Sequence, residues 1–137
     1  MQAATRYGFA GIGGLALLTG AHQLRGATLT LSLPTEYLVS VIPNFAAAIA
    51  ITFVLLSIWC DQNRAADRTA TRRAFRVCAA ISGAGLIAWE LFQLGPNRLV
   101  FDPHDIGATL AGLATSALLF AALTPRSPST DATISRR

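Results

Sequence analysis

The chain has 137 residues, 53% hydrophobic and only 13% charged, with a mean hydropathy of +0.48. Soluble domains carry about 25% charged residues, so a water-soluble domain, a disordered chain and a disulfide scaffold are excluded. The net charge of +4 comes from eleven arginines and no lysine. They lie between and beyond the apolar segments rather than on one soluble face, which argues against nucleic acid as a partner.

A hydrocarbon core roughly 30 Å thick needs about 20 apolar residues to cross it. Four stretches meet or approach that length: 7–24, 37–60, 75–94 and 105–123. They are long and lack period-2 alternation, so they read as helices rather than strands of a closed barrel. The expected fold is all-α, a four-helix transmembrane bundle of two antiparallel hairpins, forming one membrane domain over residues 1–124.

The first span follows Arg6, and Thr19-Gly20-Ala21 loosely fits a signal-peptide cleavage site. Its length, its glycines and the three spans that follow favour a retained helix. In lipid, helices associate where small residues let backbones approach; Gly13, Ala16 and Gly20 form such a face. The second span carries Ala46 and Ala50. Its Pro43 removes a backbone donor and should kink the helix, and Asn44, costly to expose to lipid, should face inward. Between spans two and three lie Arg64, Arg68, Arg72 and Arg73, with Arg76 just inside span three. Setting topology is the simplest role for this basic segment; a specific contact with anionic lipid or with a protein is the alternative. Cys60 and Cys78 flank it; packed thiols are the commoner outcome, and acylation of one near a helix end is the alternative. Span three places Ala79, Gly83 and Glu90 on one stripe, and span four Ala108, Gly112 and Ser116. These faces predict the pairings one–two and three–four. Residues 125–137 have two prolines and no apolar period, so a disordered cytoplasmic tail is expected.

Nine arginines, counting Arg76 just inside span three, fall on the side of the N-terminus, the 61–74 segment and the tail, and only Arg25 and Arg98 on the other. The positive-inside rule then places both termini in the cytoplasm.

Polar residues gather where span three ends and span four begins. Glu90 and Gln93 share a helix face. A carboxylate near the end of a span is costly unless paired or wet, and is a functional candidate by default. Asp102, Pro103 and Asp105 suit N-cap, N1 and N3 of a helix, so capping alone accounts for those residue types. Arg98 is placed to pair with Glu90 or Asp105, as a staple, a headgroup site or both.

This segment resembles the VanZ-like family of small bacterial membrane proteins. The resemblance rests on Glu-x-x-Gln ending a helix, a loop Arg, Asp-x-x-Asp opening the next helix and a following Gly: Glu90, Gln93, Arg98, Asp102, Asp105 and Gly112. An Asn usual in the family after the second Asp is absent; Thr109 is the one polar residue in Gly107-Ala108-Thr109. The resemblance covers about 25 residues. It implies a multi-pass protein of the bacterial plasma membrane and a link with teicoplanin resistance.

No Ser-His-Asp set, phosphate-binding loop or His-Glu-x-x-His zinc pattern is present. A metal site built from Glu90, Asp102, His104 and Asp105 would have only generic spacing. The leading expectation is a non-enzymatic binding or accessory protein without a cofactor, contacting membrane lipids and other integral membrane subunits, with Glu90, Gln93, Arg98, Asp102 and Asp105 as its polar cluster. The alternatives are an enzyme acting on lipid headgroups, with Glu90 and Asp105 as acid and base, and a small proton-coupled transporter using Glu90.

Overall fold

The computed structural model describes residues 2–27, 33–93 and 102–124. They form four helices, α1 (Ala3–Gly26), α2 (Leu33–Gln62), α3 (Arg68–Phe92) and α4 (Pro103–Leu123), with no strand among the described residues. The all-α expectation holds. The predicted tail, 125–137, and Arg98 lie outside the described residues.

Three helices are long and apolar enough to cross a membrane: α2 over Thr35–Gln62, α3 and α4. Their outward surfaces are correspondingly apolar, with Leu118, Ile81 and Ile58 all exposed. α1 is 24 residues long, but its glycines and its polar ends dilute its hydropathy.

α3 begins earlier than the apolar run suggested. Asp67 caps it, accepting the Ala70 N–H at 2.7 Å. The arginines of 68–73 are good helix formers, so this basic stretch is a helical turn projecting beyond the apolar segment rather than a loop. α2 is longer at both ends than the predicted span and continues through Pro43.

The central helix is α2, which touches all three others. The one–two hairpin is present: Gly8 faces Ser57, Gly11 faces Val54 and Gly14 faces Ala50, as antiparallel helices require. The face of α1 is not the predicted one, however. Tyr7, Gly11, Gly14 and Ala21 are buried, whereas Gly13 and Gly20 have open space where a Cβ would stand. Both stripes are smooth; the buried one also carries the Tyr7 ring, which sets the rotation of the helix. The three–four pairing is present too, with Leu113 over Gly83, though for both helices it is lighter than the contact with α2. The predicted Ala108/Gly112/Ser116 stripe is buried, and its Gly112 abuts Phe45 and Ala48 of α2.

The interior divides into two halves. At the end bearing the N-terminus, each helix contributes one aromatic ring: Tyr7, Phe53, Phe75 and Phe120. Phe75 and Phe120 stack with centroids 4.3 Å apart, and Tyr7 lies 5.8 Å from Phe120 and 6.1 Å from Phe53. Offset pairs of this kind add about 0.5–1.5 kcal/mol each beyond burial. Cys60 and Cys78 are free, buried thiols at the edge of this cluster. Toward the other end the core shrinks to Ala46, Ala48, Ala50 and Ala108 with the hydroxyls of Ser82 and Ser116. Ser82 donates to the Ala48 carbonyl across the helix interface at 3.2 Å. Small side chains bring α2, α3 and α4 close together there, and a polar group is enclosed where they meet.

Candidate functional site

That group is Glu90, in the last turn of α3. Its side chain is directed into the bundle, and the residue is only 3% exposed. Both carboxylate oxygens are held by side-chain amides. Asn44 Nδ2 of α2 donates to Oε1 at 3.2 Å, and Gln93 Nε2 donates to Oε2 at 2.9 Å. Gln93 is the C-cap of α3, so the three-residue spacing read in the sequence is realised as a hydrogen bond.

Asp105, in the first turn of α4, approaches from the third side. The Glu90 carboxyl and Asn44 of α2 lie near it, and Arg25 of α1 acts on it through space. Arg25 is fixed by donating to the Ser40 carbonyl at 2.6 Å. A single amide on α2 thus holds the α3 carboxylate close to a second carboxyl group from α4. Asn44 is placed there because Pro43 and Asn44 lie on the turn of α2 where small residues draw α3 and α4 inward.

Asp102 does something different. It is the N-cap of α4, accepting the His104 backbone N–H at 2.9 Å and the His104 imidazole Nδ1 at 2.7 Å. These two interactions, the backbone one first, hold its carboxyl below the usual carboxylate range. It is half exposed and acts as a cap, as its sequence position suggested. His104 also meets Tyr37 edge-on at 5.5 Å, which ties the start of α4 to α2 above the cluster. Thr109 is fully buried and donates to the Asp105 carbonyl of its own helix at 2.9 Å.

Of the expected cluster, the structure brings together Glu90, Gln93 and Asp105, leaves Asp102 at the rim, and does not describe Arg98. It adds Asn44 and Arg25. The sequence marked Asn44 as inward-facing but gave no link to Glu90; the signal was a polar residue beside the only proline within a span. Among the described residues, no three His, Cys, Asp or Glu side chains are arranged to hold a metal ion, so Glu90, Asp102, His104 and Asp105 do not form the metal set their order in the chain allowed.

Chemically, the site is an enclosed carboxylate with neutral donors on both oxygens and a second carboxyl nearby. It can hold or exchange a cationic or hydrogen-bonding group at one end of the bundle. No family model, curated protein or solved structure matches the chain.

Proposed function

We propose that this chain is a VanZ-like, four-span protein of the bacterial plasma membrane, with both termini in the cytoplasm, that works as a non-enzymatic binding or accessory protein of the cell envelope through the polar cluster at its outer face. At 1.5 Å per residue a 24-residue α1 reaches about 36 Å, long enough for a fourth span. The arginine asymmetry supports the orientation.

The observation that carries the reading is Glu90: a nearly inaccessible carboxylate at a helix end, held by amides from two elements. Removing such a group from water is costly, and aliphatic packing would be the cheaper way to join α2 to α3. Retaining a carboxylate there favours a working site that recognises an envelope component or a neighbouring integral subunit. The proximity of Glu90 to Asp105 also supports the two alternatives, acid–base chemistry on a lipid headgroup and proton-coupled transport.

The test is expression in a teicoplanin-sensitive bacterium. Wild type is expected to raise tolerance and Glu90→Gln to abolish that effect while keeping wild-type helicity and melting in detergent. Full tolerance in a folded Glu90→Gln variant would refute the site. Proton uptake by vesicles reconstituted with wild type but not with Glu90→Gln would favour the transporter.

A further inference from the structure

A groove of about 480 Å³ runs between the end of α2 and the start of α3, at the opposite end of the bundle from Glu90. Its floor and lower wall are apolar: Trp59 on one side, and Ala70, Ala74 and Val77 on the other. Its mouth is polar, with Thr69 and Arg73 one turn apart on the same face of α3. Going from Thr69 to Val77, a rise of about 12 Å, the lining passes from hydroxyl and guanidinium to hydrocarbon.

The charges around the mouth do not cancel. Arg73 makes no hydrogen bond or ion pair among the described residues, and neither do Arg72 and Arg76. The one carboxylate lining the groove, Asp67, is turned to the Ala70 amide as the helix cap. Asp61 is engaged with Arg64 at 2.9 Å. A guanidinium without an ion-pair partner above an apolar channel, with an indole beside it, matches the order of an anionic phospholipid: phosphate outside, acyl chain within. Indoles favour that same depth.

We propose that this groove is a binding site for one anionic phospholipid, its phosphate on Arg73 and Thr69 and one acyl chain against Trp59, Ala74 and Val77. The proposal rests on the chain being a membrane protein but not on the Glu90 cluster, so a negative result with Glu90→Gln leaves it untouched. One arginine near an anionic surface contributes roughly a fivefold preference.

The experiment is native mass spectrometry of the full chain in mild detergent, with phosphatidylglycerol or phosphatidylcholine of identical chains. Wild type should retain one phosphatidylglycerol about fivefold more than phosphatidylcholine. Arg73→Gln should remove that preference, and Arg72→Gln, one residue away and off the groove, should keep it. Equal retention of both lipids by wild type, or equal loss in the two arginine variants, would overturn the site in favour of none or of a diffuse field. A second measurement reads the chain directly. In a Trp89→Phe background, phosphatidylglycerol with brominated chains should quench Trp59 at mole fractions where brominated phosphatidylcholine does not. Equal quenching by the two would also overturn the proposal.

Discussion

At Gly112 the backbone of α4 packs directly on α2, and replacing it with alanine tests how the bundle is held. A Cβ at this position would stand 2.5 Å from the Phe45 carbonyl oxygen and 2.8 Å from the Ala48 Cβ. Ordinary contact needs about 3.5 Å, so α4 would have to withdraw by roughly 1 Å. The obstructing atoms are backbone and a Cβ, which cannot swing aside as a long side chain can. Overpacking of this kind costs about 1–3 kcal/mol, against a gain of up to about 1 kcal/mol from replacing glycine within a helix. The expected net loss is about 1–2 kcal/mol. Gly13→Ala is the matched control: a Cβ there meets nothing within 4 Å, so only the propensity gain applies and stability should hold or rise slightly. Unfolding in mixed micelles, followed by far-UV circular dichroism, measures both. If Gly112→Ala matched wild type, or Gly13→Ala lost as much, close approach of α2 and α4 would not be what stabilises the bundle.

Asn44→Ala removes the donor to Glu90 Oε1 and leaves that buried carboxylate oxygen without a partner. Losing one partner in that way costs about 1–3 kcal/mol, read in the same assay, and Asn44→Asp should be worse because it adds a third carboxyl. Asp102→Ala should cost less than Asn44→Ala, because only a half-exposed cap is lost. The folded-state pKa of Asp102 lies below its unfolded value, so its contribution is present at neutral pH and disappears as pH falls through the folded value. The stability gap between Asp102→Ala and wild type should therefore close in acid, and a gap that persists at low pH would contradict the capping role. Cysteines introduced at positions 30 and 66, in a chain whose Cys60 and Cys78 are serine, should label from outside and from inside respectively; outside labelling at 66 would reverse the orientation.

The number of helices and their approximate extents were legible because length and hydropathy are local properties. The faces were less so. On α1 two smooth stripes alternate, Gly13/Gly20 and Gly11/Gly14, and small-residue spacing cannot choose between them. The Tyr7 ring does, because it stacks with Phe53 and Phe120, a contact that depends on two other helices. The same holds for Gly112. Its spacing from Ala108 and Ser116 correctly marked a buried face, but adjacency in the chain suggested α3 as the partner. Short connections decide which helices are neighbours; the depth of the small-residue groove on α2 decides which contact is larger.

The site shows the same limit. Glu90, Gln93 and Asp105 lie within one stretch of chain, so motif spacing found them. Asn44 lies 46 residues from Glu90, and depth counting would have separated the two. Glu90 is within one turn of the end of α3, whereas Asn44 is three turns into a helix of 30 residues, about 45 Å long. The two meet because α2 extends beyond its neighbours, and its first turns carry Tyr37 to His104 above the cluster. A helix longer than the membrane needs thus places Asn44 level with the ends of α3 and α4. The start of α2 is therefore part of the site's architecture rather than a spare lead-in to a span.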